Sequence, residues 1–120
     1  GTHGADIYAP IVEAIERNKI FTISLYKGKY LEEFSAFTNK VESYNHWNEF
    51  KTTDSENPYI QFHDEEQVII CGLAGDICVM NTAIALKDLN PVIADNLTAS
   101  LNEDNFRTLA DRNNITIIEV

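Results

Sequence analysis

The side chains in this chain of 120 residues that could do nucleophilic or metal chemistry are few: two cysteines, three histidines and a surplus of carboxylates. The best placed is Cys78, in the stretch Val68-Ile69-Ile70-Cys71-Gly72-Leu73-Ala74-Gly75-Asp76-Ile77-Cys78-Val79-Met80-Asn81-Thr82-Ala83. Val68 to Cys71 is an unbroken apolar run, the pattern of a strand buried on both faces of a parallel sheet. Gly72, Ala74 and Gly75 provide a tight bend, and Asp76 suits the N-cap of a helix starting near Ile77. Cys78 then falls in the first helical turn at the carboxyl end of a strand, where open α/β sheets place their ligands. Unpaired main-chain N–H groups and the positive end of the helix dipole favour an anion there, either a thiolate or a developing oxyanion. Free cysteine is also among the most buried residue types and commonly only packs. Position alone therefore leaves both roles open for Cys78, and for Cys71, inside the apolar run, it favours packing.

Around this stretch the chain must supply a sheet. Pro10 to Asn18 reads as a short helix, with Ile11, Ala14 and Ile15 at helical spacing and Pro10 at its first turn. Ile20 to Tyr26 alternates and is rich in strand formers, so a strand is expected, ended by Lys27-Gly28-Lys29. A lysine just past a strand is most often a solvated loop charge. Tyr30 to Asn57 is aromatic and polar without a sustained period; short helical turns are expected at Ser35-Ala36-Phe37 and over Tyr44 to Phe50. Its aromatics can wall a ring-binding pocket or form a satellite core under a loop, and the second role is the commoner. Asp54 to Pro58 reads as a turn and His63 to Glu66 as an acidic surface run. The helix from Ile77 runs to about Asp88, stopped by Asn90-Pro91. Val92 to Asp95 is a short strand. Ser100-Leu101-Asn102-Glu103 reads as a capping box before a helix with Phe106, Leu109 and Ala110 as its buried stripe, and Ile115 to Val120 as the last strand. Alternating strands and helices after Gln67 are the mark of an α/β fold with a parallel sheet.

Composition narrows the function classes. Nine Lys and Arg against nineteen Asp and Glu give a net charge of -10, which argues against a nucleic-acid partner. No apolar run approaches membrane-spanning length and the first residues lack a signal-peptide pattern, so neither a membrane nor export is expected. Two cysteines without a CxxC pattern fit a reducing, cytoplasmic setting. The first residue is Gly1 rather than Met, which suggests cleavage or trimming.

Gly72-Leu73-Ala74-Gly75-Asp76-Ile77-Cys78-Val79 with Thr82-Ala83 resembles the nucleophile motif of the isochorismatase-like cysteine hydrolases, G-[VL]-A-T-[DE]-x-C-V-x-x-T-A. Gly1-Thr2-His3-Gly4-Ala5 is similar to the G-T-x-G-A segment of the nicotinamidases in that superfamily. Lys27-Gly28 followed by Phe34-Ser35-Ala36-Phe37 is similar to their K-G…Y-S-A-F. The resemblance implies a Rossmann-like parallel sheet with flanking helices and an amidohydrolase that converts nicotinamide to nicotinate and ammonia through a cysteine thioester. Carried onto matching positions, it makes Cys78 the nucleophile and Lys27 the lysine of the catalytic triad. It places the oxyanion hole at the main-chain N–H groups of Ala74 and Cys78, with a cis peptide between Leu73 and Ala74. It also implies a small-molecule amide substrate, a homo-oligomer and a divalent metal, zinc in the first instance. Another amidohydrolase of the superfamily acting on a different small amide, or a non-catalytic α/β subunit, are the alternatives.

The chain departs from the pattern in two ways. Gly75 stands where threonine is usual and Phe34 where tyrosine is usual. The family's catalytic Asp and its Asp and two His metal ligands precede the G-T-x-G-A segment and have no counterpart here; His3, His46 and His63 do not fall in matching positions. With a sheet order of 3-2-1-4-5-6, the two central strands are also missing. These residues are therefore expected to be the C-terminal part of one hydrolase domain, completed by an N-terminal segment or fragment that brings the carboxylate and the metal ligands.

Overall fold

The computed structural model describes residues 6–29, 33–44, 47–54, 56, 59–63 and 65–120. The Gly1 to Ala5 segment, His46, Asp64, and Ser55, Asn57 and Pro58 of the expected turn lie outside them. The chain is mixed α/β. Helix α1 (Ala9–Arg17) is followed by strands β1 (Phe37–Tyr44), β2 (Trp47–Thr52), β3 (Tyr59–His63) and β4 (Ile69–Leu73). A π-helical turn (Gly75–Val79) leads into α2 (Met80–Ala85) and a 3-10 turn (Lys87–Leu89); β5 (Val92–Ala99), α3 (Glu103–Asn113) and β6 (Thr116–Ile118) complete the order.

The second half of the chain folds as its pattern predicts. Strands β4, β5 and β6 form a parallel three-stranded sheet in that order. Helices α2 and α3 cover it, burying Val79, Met80, Ala83, Ile93, Phe106, Ala110 and Ile115 in one cluster. Several boundaries differ. Strand β5 continues past Asp95 to Ala99 through an irregularity: Ile70 pairs with Ile93, whereas Gly72 pairs with Thr98. The Thr98 hydroxyl donates to the Ala94 carbonyl at 2.8 Å across that bulge. The N-cap of α3 is Asn102, whose side chain accepts from the Asn105 N–H at 2.9 Å, and not Ser100. Asn competes well with Ser for this position, so the S-x-x-E spacing misplaced the cap by two residues.

The first half corrects the expectation more deeply. Among the described residues, Ser35 to Phe37 forms no helical turn, and Tyr44 and Trp47 to Phe50 are strand. Instead β1, β2 and β3 make an antiparallel sheet with Phe50 opposite Ile60 and Phe37 opposite Thr52. The cause is aromatic packing between strands rather than alternation within one. Phe37, Phe50 and Phe62 meet edge to face, with ring centroids 5.5 to 6.2 Å apart, a geometry aromatic pairs favour. They are a satellite core, joined by Ala85 and Leu86 from α2.

Ile20 to Tyr26 belongs to no helix or sheet among the described residues. A strand is defined by its partner, and this segment lies mostly open, with Phe21 88% exposed. Strand β4 is likewise not buried on both faces: its residues alternate, with Ile69, Cys71 and Leu73 exposed. Its one pairing among the described residues is with β5.

Phe50 is fully buried at the centre of the aromatic trio. Phe50→Ala is expected to lower stability by about 3–5 kcal/mol, the range for deleting a buried ring, measured as a fall in the urea midpoint at unchanged slope.

Candidate functional site

The sulfur is positioned by how β4 ends. The peptide bond between Leu73 and Ala74 is cis, and the chain then enters a turn wider than an α-helix. The Ala74 carbonyl accepts from the N–H groups of both Ile77 and Val79 at 3.1 Å, the second closing an i to i−5 bond. π-type turns of this kind occur frequently at functional sites. Cys78 lies on this turn, partly buried, beyond the carboxyl end of β4.

Asp76 does not cap the helix. It sits inside the π turn, 8% exposed, and its carboxylate reaches across the chain to accept from the N–H groups of Leu101 at 2.9 Å and Asn102 at 3.2 Å. It therefore ties the cysteine turn to the loop between β5 and α3. Gly75 next to it is required by space. A Cβ there would collide with the Ser100 Oγ and stand 2.9 Å from the Thr98 methyl.

Lys27 arrives from the other end of the chain. Gly28 has φ +89°, a left-handed conformation that glycine adopts without a steric cost, and it turns the backbone just after the lysine. The Lys27 ammonium donates to the Cys78 Sγ at 3.4 Å. Both residues, with Cys71, Leu73 and Thr82, line a cavity of about 200 Å³. Drug-sized ligands usually occupy roughly 300 Å³ or more, so this hollow suits a small molecule. Of the residues singled out from the sequence, Cys78, Lys27, Leu73 and Ala74 are thus brought together at one end of the parallel sheet. Cys71 shares their cavity and is exposed, contrary to a packing role inside the strand.

One member of this neighbourhood went unassigned in the sequence. Thr82 accepts through its Oγ1 from the Ala36 N–H at 3.2 Å, joining the cysteine helix to the Ser35-Ala36-Phe37 segment. Its position four residues after Cys78, on the same helical face, was the available signal.

The carboxylates closest in sequence are otherwise engaged. Asp76 holds the two N–H groups above, and Asp95 binds the Arg107 guanidinium through both oxygens at 2.8 and 2.9 Å. The hydrogen bond that Arg107 donates to Asp95 raises the pKa of Arg107 above its ordinary value. Among the described residues no three His, Cys, Asp or Glu side chains gather to hold a metal, so a divalent ion finds no ligand set on them. No helix of the described residues is long and apolar enough to cross a membrane. Compared with protein-family models, curated proteins and solved structures, the chain shows no match.

The space around Gly75 yields a direct test. Gly75→Ala is expected to destabilise the fold by about 1–3 kcal/mol, the range for overpacking a filled site, and adding Ser100→Gly should recover part of that loss. Chemical denaturation of the single and double variants checks it; equal stability of wild type and Gly75→Ala would show that the turn has room to spare.

Proposed function

We propose that the chain carries the nucleophile side of an isochorismatase-like cysteine amidohydrolase, nearest to the nicotinamidases, acting on nicotinamide. The observation that supports this best is the 3.4 Å contact between the Lys27 ammonium and the Cys78 sulfur, beside the cis peptide at Leu73–Ala74. Lysine is a compact cation, and its contact sets a positive charge directly beside the sulfur.

The chemistry follows from that pair. The Cys78 sulfur attacks the amide carbonyl carbon, a C–S bond forms, and the oxygen takes up negative charge. The N–H groups of Ala74 and Cys78 are the proposed donors to that oxygen; donors fixed in advance are worth several kcal/mol to such an intermediate. The C–N bond then breaks, the proton originally on the thiol balancing the nitrogen that leaves as ammonia. Water adds to the thioester carbon and releases the acid, and its remaining proton restores the thiol. Lys27 holds its ammonium beside the sulfur, so negative charge on the sulfur has a partner before the first addition and again when the thioester C–S bond breaks.

The reading extends to the fold and the setting. It takes the parallel sheet as Rossmann-like and these residues as the C-terminal part of the domain. The exposed apolar side chains of Ile69 and Leu73 on one face of β4 support this, because an uncovered apolar patch marks an interaction surface. The carboxylate base, the metal ligands, a homo-oligomeric assembly and a cytoplasmic setting belong to the same proposal. A different small amide is the second substrate reading, favoured by a cavity whose described walls offer an apolar rim rather than a ring-specific contact.

Ammonia release from a panel of small amides tests the substrate, with nicotinamide expected to be turned over fastest. Cys78→Ala should abolish turnover, and an active Cys78→Ala protein would refute the nucleophile assignment. In the chain as it stands, iodoacetamide should alkylate Cys78 at pH 7 about tenfold faster than a free thiol, as for cation-paired cysteines, and Lys27→Met should remove that advantage. A rate no faster than a model thiol would favour a non-catalytic module.

A further inference from the structure

Lys27 lies in a segment that belongs to no helix or sheet, yet its ammonium meets the sulfur. The main chain around it is held by two carboxylates. On one side, Asp54 Oδ2 accepts from the Tyr26 N–H at 3.2 Å. On the other, a single oxygen of Glu33 accepts from the N–H groups of both Gly28 at 2.8 Å and Lys29 at 2.9 Å. Asp54 is itself 6% exposed at the end of β2, and its other oxygen accepts from the Glu56 N–H at 2.8 Å. Beside it, the Thr53 N–H donates to the Ala36 carbonyl at 3.1 Å and the Ala36 N–H donates to Thr82 on the cysteine helix. A hydrogen-bonded path thus runs from α2 through Ala36 and β2 to Asp54 and the lysine segment.

We infer that Glu33 and Asp54 are positioning residues that fix Lys27 against Cys78, so that the antiparallel sheet acts as the frame for the lysine half of the pair. The inference rests on the reading of Lys27 and Cys78 as the reactive pair. Hydrogen bonds between carboxylate and main-chain N–H are charge-assisted and stronger than neutral ones. Displacement of a catalytic group by about 1 Å can cost up to a hundredfold in rate. Because one oxygen of Glu33 serves both N–H groups, the amide oxygen of Gln can keep both bonds, whereas Ala keeps neither.

The experiment uses the whole chain with Cys71→Ser throughout, so that Cys78 is the sole thiol. Two readouts are taken: the yield of a short thiol-to-amine cross-link between Cys78 and Lys27, and the rate of Cys78 alkylation by iodoacetamide at pH 7. Glu33→Ala is expected to lower both about three- to tenfold, Asp54→Ala to do the same, and Glu33→Gln to stay within twofold of the parent. In a Lys27→Met background, Glu33→Ala should change alkylation no further, which a general loss of structure would not reproduce. Unchanged cross-linking in Glu33→Ala and Asp54→Ala, with alkylation still dependent on Lys27, would overturn the positioning role and leave the reactive pair intact. Reduced cross-linking with alkylation indifferent to Lys27→Met would overturn the reactive pair while the positioning stands. Glu33→Gln as impaired as Glu33→Ala would overturn it in favour of a charge effect.

Discussion

The contact between the Lys27 ammonium and the Cys78 sulfur is made by residues fifty-one positions apart, and most of the structure serves to bring them together. Neither residue is fixed by its own neighbours. The sulfur rides on a π turn that needs β4 below it and the β5–α3 loop beside it, to which Asp76 binds it. The lysine rides on a segment outside any helix or sheet, held through Asp54 just past the end of β2. A single hydrogen bond of this kind contributes about 1 kcal/mol net to stability, so the contact cannot hold the two halves together. The halves are held by packing, and the contact is the consequence.

That packing converges on α2. One side of the helix buries Met80 and Ala83 with Ile93, Phe106 and Ala110 of the parallel sheet layer. The other buries Ala85 and Leu86 with Phe37 and Phe50 of the antiparallel sheet. Ile70 on β4 packs against both clusters. A helix only six residues long has little stability of its own, since short helices depend on tertiary burial. Being apolar on two sides, it is stable only between two layers, and so it sets the distance between the cysteine turn and the lysine segment.

Much of this was legible in the sequence where structure is local. The strand, bend and helix at Val68 to Ala83, the stripe of Phe106, Leu109 and Ala110, and the parallel order of β4, β5 and β6 follow from apolar runs and punctuation by Gly, Asn and Pro. The antiparallel sheet was not legible, because Phe37, Phe50 and Phe62 come from three strands and show no period along any one of them. Asp76 was misread for a related reason: an aspartate before a helix is a fair N-cap by spacing, and nothing local reveals two N–H groups from residues 101 and 102. Gly75 made sense once Ser100 lay against it. Ile20 to Tyr26 has the alternation of a strand, but pairing decides whether it becomes one.

The open edge of β4 bears directly on the chemistry. Leu73 begins the cis peptide, lines the cavity with Cys78, and is 76% exposed. An ammonium and a thiolate in contact with water interact weakly, since the attraction scales inversely with the local dielectric and falls severalfold between a protein interior and bulk solvent. The same is true of N–H groups aimed at a developing oxyanion. Covering the β4 edge with further strands would do two things at once: pair its free N–H and C=O groups, and remove water from the wall of the cavity that Leu73 and Cys71 form. On the proposed reading, sheet completion and activation of the sulfur would be one event, because Leu73 both ends β4 and lines the cavity with Cys78.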